Sequence, residues 1–260
     1  MLNRPTLEEL RILAHQAGKI LKDGYGNSHE VVFKGVTDLV TEVDRRSEDM
    51  LVGYIQDNYP RHAIIAEEQG YVKGDDNARW LIDPLDGTIN YAHNLPFFCV
   101  SIAYQENGDL RLGVVYDPMR DECFSAERGK GAWLNGLPIR VSTTAALIHC
   151  ILGTNFPYDV TNPATDNMPP YTSFIQKTQS IRRLGSAALD MAYVAVGRLD
   201  GYWESQLCSW DVAAAALIVL EAGGVVTDLK GGQGYMQPPY AVAAANPAIH
   251  RQMMDVLNRV

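Results

Sequence analysis

The segment Trp80-Leu81-Ile82-Asp83-Pro84-Leu85-Asp86-Gly87-Thr88-Ile89-Asn90-Tyr91 constrains this chain more than any other stretch, because an apolar, strand-like run ends directly in two carboxylates, a turn and a hydroxyl. A strand ending at Asp83, with Pro84 unable to continue the ladder and Gly87 free of Cβ sterics, brings Asp83, the Leu85 carbonyl and Asp86 around one point. Hard divalent cations prefer carboxylate and carbonyl oxygens, so the turn is expected to hold Mg²⁺. Taken singly, Asp83-Pro84 and Asp86-Gly87 are ordinary turn dipeptides. Their succession after an apolar run is what carries the reading.

Residues 6–22 place Leu7, Leu10, Leu13, Ala14, Ala17, Ile20 and Leu21 at helical spacing. A second helix is expected over 41–59, with Leu51, Tyr54 and Ile55 on its buried side and Pro60 beyond its end. A short apolar strand over 63–66 runs into Glu67-Glu68, a polar and mobile linker covers 70–79, and the next strand is 80–83. Strands at 98–104, 112–116 and 122–126 and a hairpin at Asn135-Gly136 read as an antiparallel meander. Then follow a strand at 147–153, a Pro/Asn/Asp-rich loop at 156–170, and helices at 171–178 and 186–196. The loop stretch 155–170 is expected beside the substrate mouth. Ser209 reads as the N-cap of a helix through Glu221, closed by Gly223-Gly224, with strands at 225–228 and 241–245 and a helix at 249–257 after it. The mixture implies an α+β fold in a single unit over 1–260.

With 47% hydrophobic residues, 260 residues suffice for a substantial core. The first five residues hold no apolar signal region and no run of about 18 apolar residues occurs, so a cytoplasmic protein without a membrane role is expected. Cys99, Cys123, Cys150 and Cys208 form no CxxC pair and read as reduced structural residues, and the six histidines show no zinc spacing. No GxxxxGK[ST] string is present, which removes the nucleotide P-loop reading. A net charge of −9 argues against direct nucleic-acid binding. It would also repel an anionic substrate unless carboxylates held divalent cations that reverse the local field. Five acidic positions fall at expected element ends: Asp44, Glu67, Asp83, Asp86 and Asp211.

The string from Asp83 to Tyr91 resembles the first signature of the inositol monophosphatase family. Trp210-Asp211-Val212-Ala213-Ala214-Ala215-Ala216, followed by Glu221-Ala222-Gly223-Gly224, resembles its second, a tryptophan-aspartate helix. The likeness runs from about Leu7 to Asn258 and is strongest to bacterial inositol-1-monophosphatases. It implies a layered αβαβα sandwich and two to three Mg²⁺ ions per site. Glu67, Asp83 and the Leu85 carbonyl would hold the first ion, Asp83, Asp86 and Asp211 the second, and a third, weaker ion would lie near Glu67. Glu68, turned to the other face if the segment stays extended, would be a supporting residue. Thr88, hydrogen-bonded to Asp44, would orient or deprotonate the attacking water together with Glu67. Backbone N–H groups of Gly87 and Thr88 would hold the phosphate. Gly185, Ser186, Ala187 and Glu204 would recognise the leaving group, with Asp211 also at the substrate. Ile89 stands where a second Thr is commoner, and Asp190 where some relatives carry Asn.

The resemblance therefore implies Mg²⁺-dependent hydrolysis of myo-inositol 1-phosphate, sensitivity to Li⁺, and a homodimer. Fructose-1,6-bisphosphatase, histidinol-phosphate phosphatase and nucleotide 3′-phosphatase activities share the scaffold and stay open as alternatives. Bacterial relatives also associate with the transcription machinery, so a protein-binding role is the alternative from another class, although Arg182-Arg183 is only a very small basic patch.

Overall fold

Caps and apolar spacing set the helices of the N-terminal half. In the computed structural model, which describes residues 3–27, 31–33, 39–156 and 166–259, α1 (Leu7–Gly24) begins at a reciprocal cap. The Thr6 hydroxyl accepts the Glu9 N–H while the Glu9 carboxylate accepts the Thr6 N–H. Its buried side is Leu10, Leu13, Ala14, Ala17 and Leu21, the spacing read from sequence. Two short antiparallel strands, β1 (Val31–Phe33) and β2 (Leu39–Thr41), follow and were not predicted. Thr41 then caps α2 (Glu42–Asn58), whose Leu51 and Ile55 are buried and whose Tyr54 is only half-buried.

The next elements are β3 (His62–Ala66), β4 (Gly70–Val72) and β5 (Asp75–Asp86). Two expectations fail here. The stretch 70–79 is not a linker but β4 and the start of β5. Nor does Pro84 end the ladder: Asp83 pairs with Ser101 and Asp86 with Cys99, so Pro84 and Leu85 stand opposite Val100 alone. This is a β-bulge, a sheet position where a residue without an N–H costs no ladder bond.

After α3 (Thr88–Ala92) come β6 (Cys99–Glu106), β7 (Asp109–Asp117), β8 (Glu122–Glu127), β9 (Gly131–Leu134) and β10 (Leu137–Pro138), the expected meander. The eight-stranded sheet has the order β10-β9-β8-β7-β6-β5-β3-β4, antiparallel except where β3 lies parallel to β5. In the second half, the predicted strand at 147–153 divides into a 3₁₀ turn at Leu147–His149 and β11 (Ile151–Thr154). Helix α4 (Met168–Ile175) starts three residues earlier than expected, and residues 157–165 of the predicted loop lie outside the described residues. Then come β12 (Ser180–Arg182), α5 (Ala187–Ala195), β13 (Gly201–Glu204), α6 (Ser209–Glu221), β14 (Val225–Thr227), β15 (Val242–Ala245) and α7 (Pro247–Leu257). The N-cap of α6 is Cys208, not Ser209. The second sheet, β12-β11-β13-β15-β14, is mixed.

Strand alternation orders the layers. Trp80, Ile82, Ile102 and Val114 pack with α1 and α2 on one face of the large sheet, while Leu81, Ala103 and Val115 pack with α5 and α6 on the other. Tyr202, Val242 and Ala244 meet that same middle helical layer from the second sheet. Trp203, Ala243 and Ala245 face α4 and α7 through Phe174, Ile249 and Met253. The fold is thus α+β in an αβαβα order, as expected, and the middle helical layer is buried from both sides.

That layer depends on small side chains. Ala213, Ala214, Ala215 and Ala216 are completely buried, and a Cβ at Gly113 of β7 would lie 2.8 Å from the Ala214 carbonyl oxygen and 3.0 Å from its Cα. Neither neighbour is a side chain that can rotate away. Gly113→Ala is expected to lower stability in urea by about 1–3 kcal/mol, the cost of forcing extra volume into a packed contact. Gly53→Ala, in the middle of α2 with open space at its Cβ, is expected to raise it by roughly 0.5–1 kcal/mol. Equal effects of the two substitutions would contradict the proposed backbone contact between α6 and β7.

Candidate active site

Asp83 and Asp86 flank the bulge of β5 and Asp211 stands in the first turn of α6, so the middle layer is what brings the two motifs together. One oxygen of each aspartate is committed locally. Asp83 Oδ1 accepts the Leu85 N–H at 2.9 Å, and Asp211 Oδ2 accepts the Cys208 N–H at 2.7 Å. Asp86 Oδ2 accepts the Ser186 hydroxyl at 2.6 Å and the Ala188 N–H at 2.7 Å, with Cys99 Sγ 3.8 Å away. The other oxygens, Oδ2 of Asp83, Oδ1 of Asp86 and Oδ1 of Asp211, lie outside these bonds.

Asp83 is 2% exposed, and the pair Asp86 and Asp211 is half-buried. No lysine or arginine among the described residues pairs with any of the three. Burial first, and then mutual repulsion with Glu67 and one another, pushes the Asp83 and Asp211 carboxyls far above the usual range; burial raises Asp86 as well, against its Ser186 and Ala188 hydrogen bonds. Such a set must take up protons or cations. All-oxygen donors with one uncommitted oxygen per carboxylate fit divalent magnesium. Among the described residues no group of three or more His, Cys, Asp or Glu side chains is drawn together closely enough to hold a metal ion without a further ligand or adjustment. The donors instead line a cavity of about 690 Å³, open to a ligand.

Ten of the residues expected at the site line this cavity. Glu67, Asp83, Leu85, Asp86, Thr88 and Asp211 do so at one end, and Gly87, Gly185, Ala187 and Glu204 complete the set. Gly87 is left-handed, φ 99°, and a Cβ there would lie 3.3 Å from the Gly185 carbonyl oxygen and 3.1 Å from that of Phe97. Only glycine lets the two turns approach so closely.

Two expected site residues stand behind the wall. Ser186 is 1% exposed; its hydroxyl is spent on Asp86 and also accepts the Leu189 N–H at 3.4 Å, capping α5, so the structure makes it a positioning group and not a leaving-group contact. Asp44 is completely buried behind Thr88. Its Oδ2 accepts the N–H and hydroxyl of Thr41, and its Oδ1 lies 3.2 Å from Thr88 Oγ1. That hydroxyl is also 3.0 Å from the Leu85 carbonyl oxygen, so its single proton has two acceptors. Burial, opposed by the Thr41 bonds and aided by the charge of Glu68, pushes Asp44 up to about 6. Glu68 itself is not on an extended segment: residues 67–69 form a turn, closed by the Glu48 carboxylate accepting the N–H groups of Glu68 and Gln69.

At the other end Glu204 is 4% exposed, and burial pushes it up to about 8. The Tyr202 hydroxyl donates to its Oε2. Asn155 Nδ2 lies 3.2 Å from both Tyr202 Oη and Asp190 Oδ2, and Asn155 Oδ1 accepts the Gly185 N–H at 3.2 Å. Asp190 does not reach the cavity. It is buried with Oδ1 unpartnered, its Oδ2 accepts from Asn155, and burial holds it well above the carboxylate range. Sequence reasoning missed Asn155, Phe156 and Arg183 as individual lining residues. The signals available were the loop start at 155 and the Arg-Arg pair immediately before the Gly185 turn.

Fold and site together match one family: the model of the inositol monophosphatase family fits residues 3–260, and the chain belongs to that family. It is 44% identical over 244 residues to the Nus factor SuhB of Escherichia coli K12, covering 93% of this chain and 91% of that one. It is 38% identical to an inositol-1-monophosphatase of Mesorhizobium japonicum, covering 95% and 93%. Among solved structures, the extragenic suppressor protein SuhB of Bartonella henselae superposes with a TM-score of 0.92 at 37% identity, covering 97% and 98%.

The raised carboxyls give a pH signature. An unfolded carboxyl ionises near pH 4, whereas Asp44 and Glu204 do so at about 6 and about 8 in the folded chain. Between these values the native state binds more protons than the unfolded one, so stability falls as pH rises. In chelator, the Tm is expected to drop between about pH 5 and about pH 8, and the rise in Tm produced by millimolar Mg²⁺ to grow across the same interval. A Mg²⁺ increment independent of pH would contradict this electrostatic account.

Proposed function

We propose that the whole chain acts as one Mg²⁺-dependent phosphatase unit that hydrolyses phosphate monoesters, with myo-inositol 1-phosphate the foremost substrate. The observation that carries this is the joining, in one cavity, of the Asp83, Asp86, Asp211 and Glu67 carboxylates with a second, separate acceptor at Glu204. The four acids and the Leu85 carbonyl would hold two ions, with a third near Glu67. When bound, such ions neutralise phosphate charge and make water more acidic.

The chain's own groups supply the rest. Thr88, with its proton drawn to Asp44 or to the Leu85 oxygen, keeps its lone pairs for the attacking water, and Asp44 near pH 6 can accept that proton at neutral pH. The N–H groups of Gly87 and Thr88 hold phosphate oxygens, and Gly185 and Ala187 shape the wall opposite. Glu204, with one oxygen committed to Tyr202, presents the other to hydroxyls of the alcohol being released. A homodimer in the cytoplasm is the expected setting. The relatives named Nus factor SuhB favour a second, compatible role as a factor of that kind.

Phosphate release from inositol 1-phosphate tests the reading. It should require Mg²⁺ and stop in excess chelator. Glu204→Gln replaces one acceptor by a donor and, measured above about pH 8 where Glu204 is ionised, removes about 1.5–3 kcal/mol of charge-assisted hydrogen bonding. The kcat/KM for inositol 1-phosphate should then fall roughly 10- to 150-fold, and that for glycerol phosphate much less. Turnover that persists in chelator would overturn the metal-dependent reading, and equal losses on both esters would remove Glu204 from substrate selection.

A further inference from the structure

An amide side chain carries two N–H donors and one carbonyl oxygen, and which way round it sits is settled by its partners. Asn155, the residue after β11, is 8% exposed on the cavity wall, and three different parts of the chain fix its amide. Its Oδ1 accepts the Gly185 N–H at 3.2 Å, from the turn before α5. Its Nδ2 lies 3.2 Å from Asp190 Oδ2 on α5 and 3.2 Å from Tyr202 Oη on β13. Turned over, the amide would set N–H against N–H at Gly185 and take the donor away from Tyr202, so one orientation alone meets its partners. The main chain is held as firmly. The Asn155 carbonyl accepts Asn167 Nδ2 at 2.6 Å, and Asn167 Oδ1 accepts the Trp203 indole N–H at 2.7 Å.

The proton count at Tyr202 shows where this leads. Tyr202 has one hydroxyl proton and gives it to Glu204 Oε2, so its oxygen accepts from elsewhere, and the Asn155 N–H is that donor. The bonds run from Asn155 through Tyr202 to Glu204. Burial raises the Glu204 carboxyl, the Tyr202 bond lowers it, the Asp86 charge raises it and the Asn155 amide lowers it, so Asn155 bears on the charge of that group as well as on its direction. The same amide holds the Gly185 turn, whose carbonyl oxygen stands against Gly87. A carboxylate with one oxygen anchored is aimed only as well as its anchor is fixed.

We propose that Asn155 is a positioning residue for selection of the leaving alcohol: through Tyr202 it aims the free oxygen of Glu204, and through Gly185 it holds the adjoining wall. This rests on the role given to Glu204 above. The test is kcat/KM of the full chain with Mg²⁺ on inositol 1-phosphate and on glycerol phosphate, read as the ratio of the two above about pH 8, where Glu204 is ionised. Asn155→Ala should lower the ratio about tenfold, mostly through KM for inositol 1-phosphate, the size of one or two lost hydrogen bonds. Tyr202→Phe, which removes the relaying hydroxyl and keeps the ring in its packing, should lower it by a similar factor. The double variant should lose no more than the larger single loss, because both substitutions cut one path. A residue that merely filled space would reduce both esters alike, and its loss would multiply with that of Tyr202. Equal losses on both esters, multiplying losses, or an unchanged ratio in Tyr202→Phe, which decides the matter even if Asn155→Ala folds poorly, would overturn the positioning role; the Glu204 reading then stands as long as Glu204→Gln still lowers the ratio. A ratio unmoved in Glu204→Gln as well would overturn both.

Discussion

Repulsion among Asp83, Asp86 and Asp211, which no lysine or arginine among the described residues pairs, is the constraint to which the rest of the structure answers. Like charges gathered in a low-dielectric site cannot all ionise unless cations join them. The fold meets part of that cost with directed donors. Leu85 N–H holds one aspartate, Ser186 and Ala188 the second, and Cys208 N–H the third. Each bond fixes one oxygen and leaves the second to a ligand. An aspartate that accepted no such bond would be a poorer ligand, because its carboxylate would have to be ordered at the moment of binding.

The same donors tie the layers together. Asp86 belongs to the large sheet, but its hydroxyl and N–H partners come from the start of α5 in the middle layer. Asn90, at α3, donates to the carbonyls of Phe97 and Leu184 and closes the same seam. Asp211 arrives on α6, whose alanines let its backbone rest on Gly113. The aspartate end and the Glu204 end of the cavity are therefore set by one packed unit, and a shift of α5 or α6 moves both. This is why the proposed site, split between positions 83–88 and 185–211, keeps its geometry.

Much of this was legible in the sequence because it is local. The 3.6-residue spacing of α1, the meander with its Asn135-Gly136 turn and the two acidic motifs all report on neighbouring residues, and the family resemblance supplied the layering. What failed was what depends on a partner far along the chain. Pro84 reads as a ladder breaker, and only the opposing Val100 shows that it sits in a bulge. Ser186 reads as a polar residue free for substrate until Asp86, one hundred positions away, takes its hydroxyl. The stretch 70–79 is polar because it lies at the sheet margin, and polarity alone suggested a linker. Arg183 reads in sequence as half of a very small basic pair and Phe156 as a loop residue, and only the fold places both on the wall of the cavity that Glu204 also lines.

The central claim, that the aspartate set is held partly protonated until divalent ions replace the protons, is open to direct measurement. Metal-free protein at about pH 7 can be titrated calorimetrically with Mg²⁺ in two buffers of different ionisation heat, which counts the protons released on binding. The account predicts release of about one proton or more per chain, with release reduced and Mg²⁺ affinity weakened in Asp83→Asn. Binding of Mg²⁺ without proton release, or undiminished binding in Asp83→Asn, would contradict it.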